Sequence, residues 1–189
     1  GYAHSHGVLH CDVKPANILL SDNRLYKLAD LGIAARMSDG GQVQSRRLAG
    51  SPLYLAPEQA LAQPLDGRAD IYALGATVWH LLTGQPLYNG TAREVMEQHV
   101  RAALPDLRAL RSNLPRGLVE LLTAMLAKNP EQRLADAGLV LEMARELLER
   151  SPSPARKRAT PSRRRGRRRG RRRGRPRRVT TRRVNRRRR

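Results

Sequence analysis

Asp12, Lys14 and Asn17 fall within six residues of one another, and Asp30 follows eighteen residues after Asp12. Aspartate and asparagine present hard oxygen donors, the kind that Mg²⁺ selects. Lysine is a compact point charge on a flexible stem, suited to a phosphate group. Groups of these types suit chemistry at phosphate, where charge neutralisation and positioning matter more than covalent catalysis. Taken singly they say little. An Asp and an Asn five residues apart occur in ordinary turns, and Asp30-Leu31-Gly32 is a cheap tripeptide because Asp and Gly both favour turns.

Such groups need elements that hold them still. Apolar runs at residues 8–10, 18–20 and 25–29, separated by turn residues such as Ser21-Asp22-Asn23, predict short strands on both sides of the 12–17 loop. Residues 1–6 read as the last turn of a helix closed by Gly7. From Asp30 to Pro57 there is no sustained period, and Gly40-Gly41 and Gly50-Ser51-Pro52 punctuate the stretch. An irregular segment that long inside a compact domain is usually functional or mobile. The second half reads as helical. Residues 70–83 are nearly all apolar and end at Gly84, which predicts a helix buried on every side. Residues 91–102 open on a Thr91/Glu94 capping box, and helices over 115–127 and 135–150 follow from their leucine and methionine spacing.

Four segments gain meaning together. His10-Cys11-Asp12-Val13-Lys14-Pro15-Ala16-Asn17 resembles the catalytic loop of protein kinases. Ala29-Asp30-Leu31-Gly32 resembles the family's metal-binding tripeptide. Gly50-Ser51-Pro52-Leu53-Tyr54-Leu55-Ala56-Pro57-Glu58 resembles the end of its activation segment, and Asp70-Ile71-Tyr72-Ala73-Leu74-Gly75 the start of its central helix. The likeness covers residues 1 to about 150, in the family's order, and is closest in style to bacterial serine/threonine kinases. It implies an α+β fold, a mainly helical kinase C-lobe with short strands around the catalytic loop. It also implies ATP and Mg²⁺ as cofactors and a protein Ser/Thr hydroxyl as acceptor. Asp12 would orient that hydroxyl, Lys14 would meet the γ-phosphate, Asn17 and Asp30 would hold the metal, and Leu19 would floor the adenine site. Ser51 would hydrogen-bond near Asp12 and Lys14. Glu58 would pair with Arg133, Asp70 would anchor the loop backbone, and His10 and Leu31 would stack in the hydrophobic spine. Lys14-Pro15 with Gly50-Ser51-Pro52 is the serine/threonine version of these motifs.

The departures are equally informative. Cys11 replaces the arginine that in many kinases pairs with an activation-loop phosphate, so control by that switch is in doubt. Leu31 for phenylalanine is mild. Residues 1–189 hold no glycine-rich loop, no strand lysine and no partner glutamate. The expectation is therefore a C-lobe whose N-lobe partner is missing and which transfers negligible phosphate alone. Ser38 and Ser45 fall in the activation segment and read as ordinary solvated serines, and His4, His6, His80 and His99 have no metal-ligand spacing with Cys11.

Charge divides the chain. Residues 151–189 carry 20 arginines and Lys157 without an acid, which accounts for the whole net charge of +21 and leaves residues 1–150 neutral. A composition break at Ser151-Pro152-Ser153-Pro154 and three successive RRRG repeats predict a disordered tail, because like charges at that density cannot form a core. Such a tail would bind nucleic acid or another acidic partner non-specifically, with steep salt dependence. It lacks aromatic residues to stack on bases, and a solvated extension is the bland alternative. A lone cysteine excludes an internal disulfide, and no apolar run approaches the ~20 residues of a membrane span; a cytoplasmic location is expected. A catalytically inactive remnant or scaffold is the competing reading, and it would expose an apolar cleft around Leu19 and Leu31.

Overall fold

A computed structural model describes residues 1–31, 33–36, 43 and 50–150, all within the first of two units into which the chain divides, Gly1–Ser153. The expectations for Gly32, Ser38, Ser45 and the tail 151–189 lie outside the described residues. Helix α1 (Tyr2–Ser5) gives way to Gly7 at φ +70°, a left-handed turn that glycine adopts without strain. Strand β1 (Val8–Leu9) stops one residue earlier than its apolar run, because the His10 N–H goes to Asp70 Oδ2 at 2.8 Å. Strands β2 (Ile18–Leu20) and β3 (Tyr26–Leu28) form a hairpin with Leu19 opposite Lys27. Strand β4 (Ala35–Arg36), inside the stretch without period, pairs antiparallel with β1.

The remaining elements are helices: α2 (Pro57–Ala60), α3 (Gly67–Thr83), α4 (Ala92–Arg101), α5 (Leu107–Leu110), α6 (Arg116–Met125) and α7 (Ala137–Arg150). The chain is thus mainly helical, with short strands beside the 12–17 loop. Helices α2 and α5 span one turn each, too short for a 3.6-residue period to show in sequence. Helix α4 carries the full capping box, with Thr91 N–H donating to Glu94 Oε2 at 2.8 Å and Glu94 N–H to Thr91 Oγ1 at 3.4 Å.

Helix α3 is the centre. Asp66 caps its start by accepting from Arg68 N–H at 2.8 Å, and Gly84 closes it at φ +76°. Ile71, Tyr72, Ala76 and Trp79 are almost fully buried, each large side chain contributing about 1.5–3 kcal/mol by leaving water. The expectation of burial on every side fails at the C-terminal end, where Leu81 is 62 % exposed. Against the other face α6 packs Leu122, Met125 and Leu126. Gly75 makes the approach possible, since a Cβ there would lie 3.1 Å from Leu126 Cγ and Met125 Cβ. Among the described residues no helix is long and apolar enough to cross a membrane.

The β2–β3 hairpin is unlike the rest. Leu20, Leu25, Tyr26, Leu28 and Leu31 are each at least half exposed, and two strands alone are marginal in water. A contiguous apolar face of this kind drives association. Residues 1–189 are therefore expected to bind a hydrophobic dye such as ANS and to self-associate as concentration rises. Changing Leu20 and Leu25 to serine should weaken both without lowering the melting temperature. An unchanged dye signal in that variant would move the sticky surface elsewhere.

Candidate functional site

The 10–17 loop is fixed from behind by α3. Asp70 accepts from His10 N–H with Oδ2 and from Cys11 N–H with Oδ1, each at 2.8 Å. Its Oδ2 also meets His4 Nε2 at 2.8 Å. Seven residues on, Thr77 Oγ donates to the Val13 carbonyl at 3.2 Å. Cys11 takes φ +64°, a left-handed conformation that its two anchored neighbours over-determine. Its thiol is buried, and burial, followed by the Asp70 charge, pushes it up to about 11. A thiol in that state is not a nucleophile.

At the loop's centre the Asp12 carboxylate is held by three donors. Lys14 Nζ reaches Oδ2 at 2.5 Å, Ser51 N–H donates to Oδ1 at 2.9 Å, and Asn17 Nδ2 lies 3.3 Å from Oδ2 and donates to the Asp12 carbonyl at 2.8 Å. Partial burial pushes this carboxyl up, but the Lys14 and Ser51 hydrogen bonds and the Lys14 charge outweigh it and hold it below the ordinary range. Asp12 is thus ionised at neutral pH and a weak base. Lys14 Nζ also donates to Ser51 Oγ at 2.9 Å, which uses two of its three N–H groups. His10 is buried; Asp12 N–H lies 3.3 Å from its Nδ1, so Nε2 carries the proton and donates to the Ala29 carbonyl at 3.0 Å.

The β2–β3 ladder brings Asp30 to the same edge. Ala29 N–H donates to the Asn17 carbonyl at 2.8 Å, so Asp30 is one residue past the position opposite Asn17. It takes φ +63°, which aspartate tolerates better than most residues. With Nδ2 committed to Asp12, the remaining polar atom of the Asn17 amide is its oxygen. Leu19 and Leu31 are 53 % and 59 % exposed.

A strap from Gly50 to Gln59 crosses the loop. Gly50 sits at φ +119°, and a Cβ there would come within 2.9 Å of the Cys11 carbonyl; only glycine allows this approach. Gln59 Nε2 donates to that carbonyl at 3.2 Å, while its Oε1 accepts from Ala56 N–H at 3.0 Å. The strap's far end is locked by Glu58, whose carboxylate forms a two-pronged pair with Arg133 at 2.6 and 2.7 Å. His4, Gln59 and Thr77 position the loop yet have no local sequence signal, because each acts on a partner at least 48 residues away.

Residues 1–150 match the family profile of the protein kinase domain, and the chain belongs to the protein kinase family. Bacterial serine/threonine kinases are among its relatives. It is 38% identical over 151 residues to serine/threonine-protein kinase PknB of Mycolicibacterium smegmatis, covering 78% of this chain and 24% of that protein. The Mycobacterium tuberculosis PknB is 38% identical over 72% of this chain and 22% of its own length. The DNA damage-responsive serine/threonine-protein kinase RqkA of Deinococcus radiodurans is 37% identical over 70% of this chain and 20% of its own. The chain therefore spans between a fifth and a quarter of the length of these relatives.

Proposed function

We infer that residues 1–150 are the C-terminal part of a serine/threonine protein kinase domain, which moves the γ-phosphoryl of ATP to a protein Ser or Thr hydroxyl. The observation that carries this reading is the Asp12 carboxylate, ionised and clamped between Lys14 Nζ and Ser51 N–H. Asp12 accepts the hydrogen bond of the incoming hydroxyl and aims its oxygen at phosphorus. Because its basicity is low, it receives the proton late, as suits a loose transition state with little charge on the attacking oxygen. The third N–H of Lys14 meets the γ-phosphate. Asn17 and Asp30 offer two oxygen donors rather than a closed cage, which fits Mg²⁺, an ion that completes its shell with phosphate oxygens and water. Held there, Mg²⁺ would supply positive charge to offset that of the phosphate oxygens. Leu19 lies under the adenine, and Leu31, 59 % exposed, is left to meet an apolar partner from an N-terminal lobe.

The phosphate-covering half of the site is to come from an N-terminal lobe. Residues 1–189 alone are expected to label a serine-bearing protein negligibly from γ-labelled ATP. Joined to the N-terminal lobe of a PknB relative, they are expected to label it in a Mg²⁺-dependent manner, and Asp30→Asn should abolish that dependence together with activity. A folded hybrid that stays silent at saturating Mg-ATP would sink the kinase reading and favour a scaffold.

The net charge of +21, confined to residues 151–189, supports a second role for the tail as a non-specific polyanion binder. Affinity of residues 1–189 for a DNA duplex should fall steeply with salt and vanish in residues 1–150. Equal binding by the two would remove the tail from that role.

A further inference from the structure

Behind the strap lies a buried polar cluster that the phosphoryl-transfer chemistry does not use. His99, on the inner face of α4, is 0 % exposed. Its ring is packed edge-on by Tyr88 at 5.0 Å and by Tyr72 of α3 at 5.6 Å. Tyr72 OH lies 2.9 Å from Nδ1; as Tyr72 keeps its proton in this buried site, the hydroxyl donates to Nδ1 and the imidazole proton sits on Nε2. That N–H has no aligned hydrogen-bond partner among the described residues. The backbone of Pro52 and Leu53 lies against the same ring, and α4 packs on the turn Pro52–Tyr54. A buried donor met only by the Pro52 and Leu53 carbonyls, out of ideal alignment, links α4 to the turn and would be left unmet if the turn moved.

The backbone that carries the ring is tied down by Lys128. Its Nζ donates to the His99 carbonyl at 2.7 Å, to Tyr88 OH at 2.9 Å and to the Gln98 carbonyl at 3.2 Å, and stands over the Tyr88 ring at 4.7 Å. The Gln98 and His99 carbonyls in the last turn of α4 and the Tyr88 hydroxyl are thereby tied to one ammonium. Lys128 is the charge that acts on the imidazole; Tyr72 in turn carries the Arg133 guanidinium over its ring at 4.9 Å, and Arg133 pairs with Glu58.

The turn Pro52–Tyr54 follows directly on Ser51, whose N–H is fixed to Asp12. Any peptide presenting a hydroxyl to Asp12 must lay its neighbouring residues along this turn. We propose that His99 is a positioning residue for Pro52–Tyr54, and through it for the peptide that carries the acceptor hydroxyl. The second half of the proposal rests on the kinase reading; the first does not. Closure of the turn keeps the ring out of water and so favours its neutral form, against the weaker pull of the Pro52 and Leu53 carbonyls. Burial, and then the Lys128 charge, pushes the imidazole down to about 4 from an ordinary 6.5. When the turn lifts and the ring meets water, the ordinary value returns, so the closed state is full strength above pH 6.5 and is lost as pH falls toward 4.

The test uses residues 1–189 and amide hydrogen exchange, normalised to intrinsic rates. Protection at Leu53–Leu55 is expected to fall by about tenfold or more between pH 6.5 and 4.5 relative to α3 amides. His99→Phe, which fills the space without titrating, should lower protection at pH 7 and abolish the extra slope. His99→Gln, whose amide N–H reproduces Nε2, should restore protection at pH 7 and remain without slope. Parallel loss over α3, or no loss at the turn, overturns the proposal. In the hybrid carrying a relative's N-terminal lobe, His99→Phe should raise the peptide KM by roughly fivefold or more, with kcat and the ATP KM little changed. An unchanged peptide KM overturns the peptide half; a silent parent hybrid removes the kinase reading itself, while exchange still decides the first half.

Discussion

Asp12→Asn, in a chain completed by an N-terminal lobe, is expected to lower kcat by about 10²–10⁴-fold with the melting temperature nearly unchanged. The substitution keeps the shape of the side chain and its place between Ser51 and Lys14. It removes the negative charge and replaces one acceptor oxygen by a donor. On the proposed kinase reading the acceptor hydroxyl then loses the group that aims it, Lys14 loses its anion, and kcat should fall while the KM for ATP moves little. Retention of more than about a tenth of the parent rate would show that another group orients the nucleophile. The carboxyl is held below its ordinary range by Lys14 and Ser51, so its own titration should leave no mark on rates near neutrality.

The second large effect concerns stability. Glu58→Ala or Arg133→Ala is expected to cost about 3–5 kcal/mol in a denaturant titration, because each leaves the other charge buried and uncompensated. Glu58 is 4 % and Arg133 6 % exposed. All five guanidinium N–H groups are engaged: two with Glu58, the others with the carbonyls of Ala127, Arg68 and Lys128 at 2.7, 3.0 and 3.0 Å. The guanidinium also lies over the Tyr72 ring at 4.9 Å. Replacing both partners by apolar side chains of similar volume, Glu58→Leu with Arg133→Met, should cost less than the sum of the single alanine changes. A cost below about 1 kcal/mol for either single change would place the pair among weak surface bridges.

Much of the fold was legible from sequence, for local reasons. Helix α4 announces both ends through Thr91, Glu94 and its apolar spacing, and α3 its end through Gly84. The loop residues Asp12, Lys14 and Asn17 are visible because they are neighbours in the chain. Glu58 and Arg133, 75 positions apart, could be paired only through the family's motif order. What sequence could not show are contacts made across helices. His4 reaching Asp70, Thr77 reaching Val13, and His99 between Tyr72 and Tyr88 follow no period. His99 in particular reads as an unremarkable helical residue until α4 is laid on the strap. Burial on all sides of α3 was also over-read, since an apolar run does not say which turn its neighbours reach.

The Asp70 anchor sets a timetable for the newly made chain. The backbone groups of His10 and Cys11 depend on a side chain 60 and 59 positions later. At a synthesis rate of about 5–20 residues per second, the loop waits roughly 3–12 s between its own translation and that of its anchor. During that interval Asp12, Lys14 and the apolar hairpin are made but unheld, and closing so distant a contact is intrinsically slow. The loop residues Asp12 and Lys14 are thus translated well before the anchor that puts their backbone in place.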